Sequence, residues 1–357
     1  MSANLFSATY RQARERFLDA ARASGAAIRS HVHPRKGAEG EEIAMDAALI
    51  GPADASSLFI VSSGTHGPEG FSGSACQLGL LGDSLATRAG QNDTAILLIH
   101  AVNPFGFSHL TRTNEDNIDL NRNFNDFSQP YPPNDTYEEV HPLLVPAIWP
   151  PSDADEALLA TRMQELVGRR TPGVSSGQAV HPDGLFYAGT APSWSNSTVR
   201  AILREHGAGR RHIAWIDVHT GLGPRGHGEK IFGRHSAETQ ARAMAWWGRD
   251  LIVSTMAQSV SPRTAGHITS CAPQECPDAA LTPMTLEYGT LPNPDVRRAL
   301  RGEAWLFGHP DAPPAVAAAI KRAARDAFYV DADDWKGMIL GQFRALALQT
   351  LNGLAQP

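Results

Sequence analysis

The stretch "LFIVSSGTHGPEGFSG", Leu58 to Gly73, runs from an apolar, partly β-branched segment into a glycine-punctuated turn and then into small residues. A continuous apolar run this short suits a strand buried on both faces of a sheet, which places one over Ser57–Ser63. Beyond the turn, "FSGSACQLGLLGDSLATRAG" carries a helical period closed by Gly90, and "AILLIHAV" (Ala95–Val102) is a second buried strand. The order strand, helix, strand predicts a βαβ unit. A third apolar run, "HIAWIDVH" (His212–His219), and the segments "EKIFGR" and "PMTLEYGT" add further strands.

Helices are expected over the N-terminal "MSANLFSATYRQARERFLDAARASG", starting near Ser7 or Thr9 and ending at Gly25, and over "SAETQARAMAWWGRDLIVSTMA" behind Ser236. "PAVAAAIKRAARDAFY" and "DADDWKGMILGQFRALALQTLNGL" read as two closing helices. Strands alternating with helices predict an α/β fold: one domain over 1–357 with a mixed, mostly parallel central sheet flanked by helices. The stretch 125–193, with "FSQPYPPNDTYEEVHPLLVPAIWPPSD", is too rich in proline for much ladder or helix interior. It reads as a surface insertion with a short helix around Ala154–Gly168, and long loops of this kind often wall a site.

A chain of 357 residues with 42% hydrophobic and 19% charged residues is an ordinary globular one. A formal net charge of -6 offers no global attraction to nucleic acid or anionic lipid. No segment has membrane-spanning length. Three cysteines, Cys76, Cys271 and Cys276, fit a reducing compartment better than a disulfide scaffold, although Cys271 and Cys276 could pair. With an amphipathic N-terminus in place of a signal peptide, the expected location is cytoplasmic. The oligomeric state is open.

If Ser57–Ser63 is buried, the turn after it lies at the carboxyl end of the sheet, where open α/β folds gather their ligands. His66 and Glu69, three positions apart, can grip one metal ion, and Gly64, Gly67 and Gly70 let the backbone bend; the same pair could simply face solvent. His219, ending another buried strand, supplies a third ligand or is a core histidine bonded to a carbonyl. The polar segment "NPFGFSHLTRTNEDNIDLNRNF" (Asn103–Phe124) holds Arg112, Asp119, Asn121 and Arg122 and suits anion recognition, since an arginine fork matches a carboxylate; it is otherwise a loop with a local ion pair. Glu287 sits inside an apolar strand, where desolvation raises a carboxyl toward the value a general base wants; the alternative is an edge strand with Glu287 in solvent.

Together, in this order along the chain, these elements resemble the zinc carboxypeptidase family, the carboxypeptidase A-like metallopeptidases, over about Leu58 to Thr290. The family's His-x-x-Glu stands here as His66 to Glu69, its later zinc histidine as His219, its Asp-x-Asn-Arg-Asn as Asp119 to Asn123, and its catalytic glutamate as Glu287. The resemblance implies one zinc ion held by His66, Glu69 and His219, with Asp119 accepting a hydrogen bond from His66. It further implies that Asn121 and Arg122 hold a substrate carboxylate, that Arg112 polarises the scissile carbonyl, and that Glu287 is the base. Tyr288 adjoins the base without an assigned role, and His227 is expected at the surface.

The expected activity is hydrolysis of an amide next to a free carboxylate, on a peptide as a metallocarboxypeptidase does or on an N-acyl amino acid as in the aspartoacylase and succinylglutamate desuccinylase group. A serine hydrolase built on "GVSSG" (Gly173–Gly177) lacks the strand and helix that a nucleophile elbow needs around it. A pocket-binding protein without catalysis would usually lack a ligand or the base, and all are present here.

Overall fold

A computed structural model describes residues 3–85, 89–90, 92–166, 173–233, 235–253 and 264–356. The strands β1 (Ala27–Lys36), β2 (Glu42–Ile50), β3 (Ser57–Ser62), β4 (Thr94–His100), β5 (His212–Arg225), β6 (Gly228–Phe232), β7 (Ile252–Val253) and β8 (Ala280–Gly289) form one sheet in the order β1-β2-β4-β3-β5-β8-β6-β7. Its centre, β4-β3-β5-β8, is parallel. β1, β2 and β6 join antiparallel, and β7 extends β6 in parallel. The fold is therefore α/β with a mixed, mostly parallel sheet, as the sequence leads one to expect.

The longer helices are α1 (Tyr10–Ala23), α2 (Gly70–Leu81), α3 (Asp135–Leu144), α4 (Asp153–Leu166), α5 (Trp194–Gly207), α6 (Ala237–Trp247), α7 (Asn293–Gly308), α8 (Pro314–Phe328) and α9 (Asp333–Leu354). Because strand side chains alternate, Phe59, Val61, Ile216 and Val218 enter one layer with Phe17, Phe71, Trp247 and Trp335 from α1, α2, α6 and α9. Leu58, Ile60, Ile213 and Trp215 enter the other, against Val199, Ile202 and Leu203 of α5. Each such aliphatic or aromatic side chain contributes about 1.5–3 kcal/mol on burial, which fixes the strand register that the site depends on. No helix among the described residues is long and apolar enough to cross a membrane.

Several elements differ from the sequence reading. β1 and β2 have no clear apolar signature: β1 is a half-exposed edge strand containing Pro34, and β2 is broken by Asp46, a buried carboxylate bonded to Arg14 and Ser30. α7, with Arg297, Arg298 and Arg301 in its sequence, lacks the apolar pattern that marks the other helices. The helix expected from Ser236 to Ala257 stops at Trp247, because Gly248 takes φ +96, and Ile252–Val253 pairs with β6; residues 254–257 lie outside the described residues. The helix expected to run on to Gly90 ends at Leu81, and residues 86–88 are not described.

The proline-rich stretch is more ordered than its composition suggests. Asn134 caps α3, which accommodates Pro142 late in its length, and α4 covers most of the expected short helix, whose last residues, 167 and 168, are not described. Leu144, Leu159, Val174 and Leu185 pack together with Ala304 of α7. The segment 103–124 also holds regular pieces, Pro104–His109 and Leu120–Asn123, started by the side chains of Asn103 and Asp119. All three cysteines are free and buried, so Cys271 and Cys276 do not pair.

Candidate functional site

The chain leaves β3 for α2 and β4 on one side, while β5 lies on the other, so the carboxyl ends of β3 and β5 bound a topological switch point. The turn after β3 is stitched to the end of β4: Val102 N–H donates to Ser63 O and Asn103 N–H to Gly64 O. Gly64 takes φ +64 to make this turn. Gly67 is needed for space and not for an unusual φ: a Cβ there would lie 2.1 Å from the Gly106 carbonyl carbon and 2.3 Å from Thr111 O. That close approach brings the Arg112 segment against the turn that carries His66 and Glu69.

Register does the rest. Ser62 stands beside Asp217 and His219 beside Glu287, so side chains from β3, β5 and β8 face one place. His66 Nδ1 lies 2.8 Å from Glu69 Oε1, and His219 Nδ1 lies 2.7 Å from Glu69 Oε2. The two imidazoles are 4.9 Å apart with planes at 60°. Each ring is held on its far nitrogen by a carboxylate: His66 Nε2 is 3.1 Å from Asp119 Oδ1, and His219 Nε2 is 2.5 Å from Asp217 Oδ2. Asp217 is itself fixed by the hydroxyls of Ser62 (2.6 Å) and Thr65 (2.9 Å). Two imidazoles turned toward one shared buried carboxylate, with their outer nitrogens anchored, form a donor set that fits a divalent cation of the zinc type.

The electrostatics agree with that donor set. Burial alone would raise Glu69, but the charges of His66 and His219 hold it well below the usual carboxylate range. Burial opposes charge on His219, yet Asp217 and Glu69 raise its pKa well above the ordinary imidazole value. Glu287 is pushed up to about 8, first by burial and then by the charge of Glu69; its Oε1 accepts the Leu222 N–H at 3.2 Å. Arg112 donates through Nε to Asp119 (3.1 Å) and through Nη1 to Glu69 (3.3 Å).

Asn121 and Arg122 are more committed than expected. The Asn121 side-chain oxygen accepts the Ile268 N–H, and its amide nitrogen lies 3.2 Å from His219 Nε2. Arg122 donates to Asn121 O and Ser175 O, and its buried Nε has no partner. His66, Glu69, Arg112, Arg122, His219 and Glu287 line one cavity of about 220 Å³, which Asn121 also borders. Tyr288 points away from it, donating to Ile339 O in the core, and His227 is exposed.

Three residues at the site escaped the sequence reading. Asp217 carried a usable signal, an acid in an apolar strand two positions before His219 and hence on the same face. Glu303 of α7 accepts the Arg112 backbone N–H at 2.8 Å and is pushed up to about 7 by burial. His267 borders the cavity and is lowered to about 3, by burial and then by Arg122 and His219; neither of the last two had a distinguishing pattern. Gly173–Gly177 forms a tight turn whose Ser175 carbonyl serves Arg122, and the residues before it, 169–172, lie outside the described ones. His141, His181 and Asp183 also approach one another at the surface, but their imidazoles stack at 3.7 Å and His181 pairs with Glu138.

A family model described as "Protein of unknown function (DUF2817)" matches residues 6–342. No curated protein matches the chain. Among solved structures the chain is similar to a metallo-carboxypeptidase from Pseudomonas aeruginosa in complex with (2-guanidinoethylmercapto)succinic acid, at 14% identity over 96% of this chain and 69% of that one, with a TM-score of 0.43. It is also similar to thrombin activatable fibrinolysis inhibitor, at 10% identity over 90% and 77%, with a TM-score of 0.47. A third is a metallo-carboxypeptidase from Burkholderia cenocepacia, at 14% identity over 84% and 68%, with a TM-score of 0.42.

Proposed function

The chain belongs to the DUF2817 family, and we propose from its site that it is a zinc-dependent hydrolase cleaving an amide bond next to a free carboxylate, as a metallocarboxypeptidase does. One observation carries the reading: His66 and His219 meet Glu69 at 2.8 and 2.7 Å in the same cavity as a buried glutamate pushed up to about 8. His66, Glu69 and His219 would hold the ion. When bound, such an ion polarises a carbonyl and lowers the pKa of water.

The remaining work falls to the chain's own side chains. Glu287 takes the proton of the attacking water and passes it to the leaving amine, a role suited to a carboxyl whose pKa burial has brought near neutrality. Arg112, held by Asp119 and Glu69, keeps Nη2 without a hydrogen bond among the described residues and offers it to the developing oxyanion. Arg122, with its buried and unpartnered Nε, receives the substrate carboxylate. Asn121, oriented by the Ile268 N–H on its side-chain oxygen, serves that clamp through its amide nitrogen. Asp119 and Asp217 keep the two imidazoles in place.

An N-acyl amino acid and a peptide both bring a carboxylate beside the scissile amide to this cavity. The test is hydrolysis of a panel of both kinds by metal-loaded protein. Activity lost to a chelator, restored by zinc and abolished in Glu287→Gln supports the reading; turnover that survives chelation and Glu287→Gln refutes it. Residues released from unblocked peptides indicate the peptidase, and amino acids released only from N-acyl compounds indicate the deacylase. A protein that retained zinc and ligand binding but turned over nothing would be a binding protein.

A further inference from the structure

Arg112 and Arg122 are largely committed to neighbours, to Asp119 and Glu69 in one case and to two backbone carbonyls in the other. A third arginine on the cavity is not. α7 presents Asn293, Val296, Arg297 and Leu300 to the cavity, the three-and-four spacing of one helical face. The adjacent Arg298 and the Arg301 one turn on both pair with Glu156, at 3.3 and 2.7 Å. Arg297, half-buried on the cavity face, has no hydrogen bond and no ion pair among the described residues.

That is an uncomfortable place for a cation. Burial and the nearby charge of Arg301 lower its pKa, offset in part by Glu156, which is already paired with Arg298 and Arg301; on the cavity face of α7 only Asn293 carries a polar group beside it. A half-buried guanidinium in such surroundings gains from an anion that brings its own two oxygens, and a carboxylate matches the fork. Arg122 is delivered from the segment after β4 and Arg297 from the helix after β8, so the two enter the cavity from different elements of the fold.

We infer that Arg297 binds a second carboxylate of the substrate, which makes the preferred substrate a dianionic amide. This rests on the hydrolase reading above and narrows its substrate class. The second carboxylate can come from a dicarboxylic acyl group or from an acidic side chain; the chemistry at Arg297 is the same.

Two matched pairs separate the sources: N-succinyl against N-succinamoyl derivatives of one amino acid, and dipeptides beginning with Glu against Gln. Metal-loaded wild-type protein should favour the carboxylate member of at least one pair by about 10- to 100-fold in kcat/KM, carried by KM, as a charge-assisted hydrogen bond would give. Arg297→Leu should bring that ratio close to one, and Arg297→Lys should restore part of it. Arg298→Leu, whose side chain pairs with Glu156 outside the cavity, should keep it. A wild-type ratio near one in both pairs, or a preference that survives Arg297→Leu, overturns the inference. If no substrate is turned over, the hydrolase reading fails by itself, and glutarate binding by calorimetry then decides: a Kd weakened about tenfold by Arg297→Leu supports the Arg297 site, and an equal Kd or no binding overturns it.

Discussion

Replacing Glu287 by glutamine should stabilise the metal-free protein, and increasingly so as pH rises. The carboxyl is buried in β8 beside His219, and its pKa moves from 4.5 in the unfolded chain to about 8 in the fold. Between those values the folded protein keeps a proton that the unfolded chain has released, so this group's contribution makes folding less favourable as pH increases through the window. With about 1.4 kcal/mol per unit, the cost is ~1 kcal/mol at pH 5, ~3 kcal/mol at pH 7 and ~5 kcal/mol at pH 9. Glu287→Gln is neutral in both states, and its side-chain oxygen can still accept the Leu222 N–H. Urea unfolding of the two chelated proteins at pH 5, 7 and 9 should show the variant gaining on its parent by ~4 kcal/mol between the extremes. A gap that stays flat with pH would mean that Glu287 is not held as a desolvated acid, and the argument for it as a tuned base would fall. The same substitution should remove turnover, so the position exchanges stability for function.

Two other substitutions probe the supports of the site. Asp217→Asn removes the anion that orients His219 and should weaken zinc binding about 10- to 100-fold; competition with a chromophoric chelator measures it, and unchanged affinity would contradict the role given to Asp217. Gly67→Ala places a methyl against the Gly106 carbonyl and should cost about 1–3 kcal/mol or more, seen as a lower Tm; an unchanged Tm would show that the two turns can part without penalty.

What could be read from the sequence, and what could not, divides along physical lines. β3, β4 and β5 are legible because both faces are buried, so hydrophobicity alone marks them, and the end of β3 locates His66 and Glu69; His219 lies inside β5, which runs on to Arg225 beyond the end that its apolar run suggests. β1 and α7 are not, since one is a half-exposed edge strand and the other is rich in arginine. The residues that tune the site are hidden for another reason: Glu303 and His267 reach it only through tertiary packing, which no local spacing records. The contact that orients Asn121 is hidden in the same way: the Ile268 N–H that fixes its side-chain oxygen comes from a segment far along the chain, which its place beside Arg122 does not record.

The arrangement of protons at the site carries a further consequence. At pH 7 the metal-free fold holds Glu287 largely protonated, while Asp217 and Glu69 favour the charged form of His219 against the effect of burial. A cation bound by His66, Glu69 and His219 needs the His219 Nδ1 lone pair, and its charge beside Glu287 favours the carboxylate that the base role requires. Loading therefore displaces the Glu287 proton, together with any proton on His219 Nδ1. Calorimetric titration of zinc into chelator-stripped protein, repeated in buffers of different ionisation enthalpy, counts them. In Glu287→Gln the count should fall by about one, because the substituted group has no proton to give. An identical count in the variant would show that the ion and Glu287 do not share an electrostatic site, and the base would have to be sought elsewhere.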